Sequence, residues 1–229
     1  IYSHMSVQPT EQQIAQFDKL VIQRCTGKPI SRIRGWREFW SLRFYLNSAT
    51  LDPRPESELL IETAVSFAKS QRIKKNQKFR LLDLGTGSGC LLLAFLSEFK
   101  HATGVGIDLI EQAIIQARMN ALSLHLEARS EFLVSDWFDA LGDDIFDIVL
   151  CNPPYISVEN EQSLQDEVRL FDPKQALFSD KQGLADYEIV LASLARYLSP
   201  YGIACFEIGH QQLEQVTKLA HRYKLNVRE

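Results

Sequence analysis

Cysteine is sparse in this 229-residue chain: the four present are widely separated and form no C-x-x-C pair, and the five histidines show no metal-ligand spacing. A disulfide framework and a structural metal site are therefore not expected. Cys90, Cys151 and Cys205 fall inside apolar strand or helix patterns, where cysteine behaves as a small hydrophobe. A reducing compartment, the cytoplasm, is the expected setting. No apolar run approaches the length of a membrane span and no secretory signal is visible, so no membrane contact is expected. Nor does one sign of charge dominate. A net charge of −4 argues against a large phosphate-contacting surface, and no direct nucleic-acid partner is expected. The basic stretches "RIKKNQKFR" (72–80) and Arg32, Arg34 and Arg37 read as a solvated linker and an exposed hairpin edge. Internal repeats and low-complexity segments are missing as well.

What is present is ordinary globular material, 45% hydrophobic and 24% charged, enough for one large α/β domain with a small appendage. Residues 1–5, with "SHM", resemble an expression-vector scar and are set aside. Residues 10–26 have helical periodicity, with Ile14, Phe17, Leu20 and Val21 on one face, and Gly27 to Pro29 end the helix. "ISRIRGWREFWSLRFYLN" reads as a short hairpin around Gly35 and Ser41, its aromatic residues forming a packing face. A helix over 51–70 takes Pro55 as its first residue, with Glu56 and Glu58 in the first turn.

From residue 80 strands and helices alternate. Strands are predicted at 80–85, 103–108, 130–136, 146–151 and 202–209. The helices between and after them are predicted at about 88–99, from "EQAIIQARMNALSL", at 184–198 and at 211–223. Apolar strands in repeated βα units imply a mostly parallel twisted sheet covered on both faces.

In "LLDLGTGSGC" a buried strand runs into Gly85, Gly87 and Gly89, where glycine permits a tight turn and close approach of a ligand to the backbone. Asp108, at the end of the second strand, can accept hydrogen bonds from both hydroxyls of a ribose. Cys90 occupies the third position of G-x-G-x-x-G, against a dinucleotide site. Asp83 stands just inside the strand, placed to cap amides of the glycine turn. The third strand ends in "SDWFDAL", where Asp136 is suited to an adenine amino group and Trp137 either to its ring or to core packing.

The fourth strand, "FDIVLC", stops at Asn152-Pro153-Pro154-Tyr155. Asn-Pro is a common turn former, but a turn alone does not account for Tyr155 beside a nucleotide-like site. If the Asn152 side-chain oxygen and the Pro153 carbonyl each accept one N–H, they hold an NH₂ group and favour positive charge developing on its nitrogen. Pro153 and Pro154 stiffen the loop, and Tyr155 can stack on the planar group and align it for displacement.

G-x-G-x-G after Asp83 resembles the first motif of class I S-adenosylmethionine-dependent methyltransferases. With "PRPESELL", "SDWF", "NPPYI", "EVRLFDPKQALF", "GLADYEIV" and "FEIGHQQ" in order, the chain resembles the HemK/PrmC family of release factor glutamine N5-methyltransferases from about Gly27 onward. The resemblance implies a Rossmann-like fold, with an N-terminal helix remnant and hairpin over 6–50 and the methyltransferase domain over 51–229. The last strand of that sheet is expected to be missing. It implies S-adenosylmethionine as cofactor, S-adenosylhomocysteine as product, and no metal. Cofactor-binding positions fall on Gly85, Thr86, Gly87, Ser88, Gly89, Asp108, Asp136, Trp137 and Asn152. Catalytic and substrate-binding positions fall on Asn152, Pro153, Pro154 and Tyr155. The implied partner is a class 1 release factor, modified at the glutamine of its Gly-Gly-Gln motif by a monomer. Asp52, before "PRP", and "SPYG" (199–202) depart from the family pattern. A ribosomal-protein glutamine methyltransferase is the near alternative, and a DNA or RNA adenine N6 methyltransferase a more distant one. A non-catalytic module of the same fold is opposed by the intact Asn152–Tyr155 motif.

Overall fold

The computed structural model describes residues 8–70 and 78–228. The scar at 1–5 and most of the basic connection at 71–80 lie outside them. Helix α1 (Glu11–Cys25) starts at a capping box, the Thr10 hydroxyl accepting from the Gln13 amide while the Gln13 side chain accepts from the Thr10 amide. None of its residues is buried: Ile14, Phe17, Leu20 and Val21 are all exposed.

The hairpin is shorter than its sequence suggests. Ile30–Arg34 forms a helical turn, α2, closed by Gly35 in the left-handed conformation (φ 75°). Glycine stops the turn there at no Cβ cost. Strands β1 (Trp36–Phe39) and β2 (Leu42–Tyr45) then pair through Trp40 and Ser41, both left-handed, the two-residue geometry that matches strand twist. Phe39 and Phe44 are buried edge to face with ring centroids 6.2 Å apart, while the Arg34 and Arg43 guanidinium groups both lie over the Trp36 ring. The aromatic residues thus serve packing. Pro55–Ser57 makes one 3-10 turn that runs into α3 (Glu58–Ser70).

The main body alternates β3 (Arg80–Leu84), α4 (Cys90–Glu98), β4 (Thr103–Asp108), α5 (Glu111–Ser123), β5 (Ser130–Val134) and β6 (Phe146–Cys151). An excursion follows, with β7 (Ile156–Ser157), α6 (Asp166–Phe171), β8 (Phe178–Ser179) and the single turn α7 (Asp180–Gly183). Then come α8 (Ala185–Tyr197), β9 (Leu198–Phe206) and α9 (Leu213–Arg222). β9 begins before residue 202, so "SPYG" is strand and not only turn.

The sheet is all parallel in the order β5-β4-β3-β6-β9. Strand alternation distributes side chains to two cores. Leu81, Ile148 and Leu150 pack with α3, α4 and the hairpin, whereas Leu82, Leu84, Val149 and Cys151 pack with α8 and α9. This is a Rossmann-like doubly wound sheet with helices on both faces. Among the described residues no helix is long and apolar enough to cross a membrane.

Candidate active site

The strand order creates the site. The chain winds outward from β3 to β4 and β5, then returns to β6 on the other side of β3. The loops leaving β3 and β6 therefore diverge at one switch point, where open α/β sheets bind ligands. Leu84 pairs with Cys151 in register, which sets the glycine loop beside Asn152. A Cβ built on Gly85 would lie 3.9 Å from the Asn152 carbonyl oxygen.

A cavity of about 370 Å³ opens there. Gly85, Thr86, Gly87 and Ser88 line it, as do Asp108, Asp136 and Trp137, and Asn152 and Pro154. Gly89, Pro153 and Tyr155 are not on its lining. Gly89 is left-handed (φ 79°) and precedes α4, where an added Cβ would press on Ala117 and Leu93 at 3.2 Å. It allows packing and does not face the cavity. Trp137 does both things its position allows, lining the cavity and packing on the core beneath α8.

Hydrogen bonds fix the loop. The Thr86 amide donates to the Ile107 carbonyl (2.8 Å), and the Gly87 amide donates to Asp108 Oδ2 (2.9 Å). Asp108 Oδ1 accepts from the Ile110 amide (3.0 Å). Each oxygen keeps a second lone pair, so a bound diol can still be gripped. Burial pushes the Asp108 carboxyl up, and these amides oppose the shift. Asp83 does not cap glycine amides as expected. Its Oδ2 accepts from the Thr86 hydroxyl (2.6 Å) and the Leu92 amide (3.3 Å), holding the loop to α4. The shape and donor set suit a nucleoside cofactor, and the buried Ser88 hydroxyl lacks a partner among the described residues.

Asn152 is held from behind. Its Nδ2 donates to Glu207 Oε2 (2.9 Å) and to Ser57 Oγ (3.3 Å). The Ser57 hydroxyl donates to the same Glu207 oxygen, and the Tyr155 hydroxyl donates to Glu207 Oε1 (3.1 Å). Burial first, then the neighbouring Glu207 charge, raise the Tyr155 phenol and keep it neutral. Neither Asn152 Oδ1 nor the Pro153 carbonyl has a described donor. Ser57 and Glu207 escaped sequence reading. Glu207 follows an apolar strand at its carboxyl end, the signal that singled out Asp108, Asp136 and Asn152, and it was legible on the same ground. Ser57 carried no such mark.

A family model described as methyltransferase domain matches residues 75–227. The release factor glutamine methyltransferase of Caulobacter vibrioides is 38% identical over 208 residues, covering 91% of this chain and 70% of that protein. The protein of the same description from Agrobacterium fabrum is 36% identical, with 94% and 75% covered. This chain belongs to the release factor glutamine methyltransferase family. The Rhodospirillum rubrum family member is 39% identical over 92% of this chain and is itself covered over 62% of its length. Among solved structures, the hMettl16 catalytic domain in complex with MAT2A 3′UTR hairpin 6 superposes with a TM-score of 0.62 over 83% of this chain and 69% of that one. At 16% identity it shares the fold alone. Family membership accords with the cavity at the switch point and with an amide-bearing loop on its wall. Asp52, where the family pattern has an apolar residue, is buried but partnered by the Ser31 hydroxyl and Arg37.

Proposed function

We propose that this chain transfers a methyl group from S-adenosylmethionine to the side-chain amide nitrogen of the glutamine in the Gly-Gly-Gln motif of class 1 release factors. The observation that carries this reading is the orientation of Asn152: its side-chain nitrogen is turned to Glu207 and Ser57, its oxygen has no described donor, and the residue lines the cavity. The partner oxygen of Glu207 requires that orientation, since the reverse would set two oxygens against each other.

Asn152 Oδ1 and the Pro153 carbonyl form a pair of acceptors for an NH₂ group. Holding both N–H bonds, they turn the nitrogen toward the reacting carbon and stabilise the positive charge it acquires. The proline pair keeps these dipoles in place before substrate arrives, so little reorganisation is left for the reaction. Asp108 and the loop Gly85–Ser88 hold the ribose and the amino-acid part of the cofactor, and Asp136 and Trp137 its adenine. When bound, S-adenosylmethionine supplies a methyl carbon on a positively charged sulfur that departs as a neutral thioether. The nitrogen gains that carbon and releases one proton. No general base has to be assigned among the side chains.

Labelled S-adenosylmethionine should be incubated with the protein and, separately, a release factor, its Gly-Gly-Gln→Gly-Gly-Ala variant, ribosomal protein and DNA. Label is expected on the release factor alone and at its glutamine. Label on DNA, on ribosomal protein in preference, or equally on the Ala variant overturns the reading. Asn152→Ala is expected to retain cofactor affinity and to lose about 10²-fold or more in turnover, the scale for one preorganised dipole at a reacting centre.

A further inference from the structure

We propose that Glu207 is a positioning residue whose carboxylate sets the polarity of the amide grip, so that the site accepts an NH₂ group and rejects a carboxylate or carbonyl oxygen. The inference rests on the methyl-transfer reading above and adds to it what decides which end of Asn152 faces the substrate.

An asparagine amide is nearly symmetric in shape, so shape alone does not choose between its oxygen and its nitrogen at a cavity wall. Here the choice is made chemically. A carboxylate has only acceptors, and three donors converge on Glu207: Asn152 Nδ2, the Ser57 hydroxyl and the Tyr155 hydroxyl. Ser57 stands beside this bond, its oxygen 3.3 Å from Asn152 Nδ2 while it gives its own proton to Glu207. A flipped Asn152 would bring its oxygen against the Glu207 carboxylate, which has no proton to give. Charge-assisted bonds of this kind are the strong ones, and Ser57 is buried.

The backbone fixes Glu207 as firmly as its side chain fixes Asn152. The Glu207 amide donates to the Cys151 carbonyl (3.0 Å), extending the β6–β9 ladder by one bond. Its carbonyl accepts from the buried Tyr187 hydroxyl (2.8 Å). Glu207 therefore leaves the sheet at a defined height beside Asn152, and Tyr155 is tied to the same carboxylate. Substrate discrimination follows from the same geometry. An acceptor without a donor of its own, on a residue that lines the cavity, suits glutamine. A glutamate side chain at that place would meet it with its own oxygens and leave that acceptor unpaired.

The test uses Glu207→Gln, which keeps size and one acceptor oxygen but removes the charge and replaces the other acceptor by an NH₂ group. In the cofactor-free protein, the Asn152 side-chain amide is expected to give a downfield, exchange-protected nitrogen–proton signal that Glu207→Gln moves and deprotects. In turnover with a release factor, Glu207→Gln is expected to lower kcat by about 10²-fold, with KM and the affinity for S-adenosylhomocysteine held within about threefold. An unmoved Asn152 signal overturns the proposal, and so does a moved signal with kcat preserved. A rise in KM at constant kcat would make Glu207 a substrate-binding group and also overturn it. Should Glu207→Gln fail to fold, Ser57→Ala and Ser57→Thr carry the test: the hydroxyl-bearing variant must retain the Asn152 signal and activity, and the Ala variant must lose both. The spectral arm needs no substrate. A wild-type protein that methylates no glutamine would therefore refute the functional reading separately from the lock.

Discussion

At the base of the glycine loop, Asp83 is fully buried, with Oδ2 serving Thr86 and Leu92 and Oδ1 without a described partner. Burial pushes its carboxyl up to about 7, against the pull of those two hydrogen bonds. In the unfolded chain the same group ionises near the ordinary carboxylate value of about 4. Between about pH 4 and 7 the folded state thus binds more protons than the unfolded state, and stability falls as pH rises through that window. The favourable contribution is complete below the unfolded value and gone above the folded one. Asp83→Asn keeps an acceptor for the Thr86 hydroxyl and removes the charge. Its stability relative to wild type should rise by ~2 kcal/mol between pH 5 and pH 8 in paired urea titrations. A wild-type curve flat across that range would contradict the assignment. The half-buried Cys90 thiol, pushed up to about 12 by desolvation and then by Asp83, stays protonated throughout and does not add to the slope.

Among the elements, the turn α7 is the least ordinary. Lys181 (φ 54°, ψ 46°) and Gln182 (φ 60°, ψ 34°) are left-handed, and Gly183 (φ 84°) continues the sense. For side-chain-bearing residues that conformation costs ~1 kcal/mol or more each. The turn brings Gly183 so close to the loop after β6 that an added Cβ would fall 2.1 Å from the Tyr155 carbonyl oxygen. Gln212 Nε2 bridges the same two places, donating to the Tyr155 carbonyl (3.0 Å) and the Gln182 carbonyl (3.3 Å). Gly183→Ala should therefore displace Tyr155 and reduce turnover by more than tenfold, whereas Gln182→Gly should leave turnover intact and stabilise by ~1 kcal/mol. Thermal melts and initial rates on the two variants check both. None of this turn was legible in the sequence, because left-handed conformation at Lys and Gln has no compositional mark. The strands at 103–108 and 146–151 were legible to the residue, since a parallel strand buried on both faces is a plain apolar run. The loop Gly85–Gly89 and the stop at Asn152 were legible for the complementary reason, that glycine and proline restrict what the backbone can do. Ile30–Arg34 misled the reading. Its β-branched residues suggested a strand, but Gly35 closes a local helical turn that needs no partner strand.

Across the whole molecule, one buried carboxylate joins the segment before α3 to the excursion after β6. Asp172 Oδ1 accepts from Arg32 Nη2 (2.6 Å) and from the Asp52 amide (3.4 Å), and its Oδ2 accepts from Arg54 Nη2. Arg32 also donates to the Asn47 and Thr50 carbonyls at 2.7 and 2.6 Å. The cavity wall carries Arg54 from one of these segments and Gln175 and Ala176 from the other, so Asp172 sets their separation. Its side chain is 2% exposed and that of Arg32 7%, against 46% and 44% for the surface pair Arg24–Glu167. Burial decides which pair matters. Removing one partner of a buried pair strands the other, at a cost of ~3–5 kcal/mol, while an exposed pair contributes ~0–1 kcal/mol. Asp172→Ala should thus lower stability by ~3 kcal/mol and weaken cofactor binding, both measured on the same preparation by urea titration and calorimetry. Arg24→Ala should change stability by less than ~0.5 kcal/mol and leave binding alone. Raising salt should shift the wild type little, because the Arg32–Asp172 pair is shielded from counterions that reach Arg24 and Glu167. The paired replacement Arg32→Met with Asp172→Leu separates stability from function. Apolar side chains filling the same space should recover most of the lost stability, yet cofactor affinity should stay low because Arg54 no longer has its carboxylate anchor. Recovery of both would show that the network supports folding without shaping the cavity.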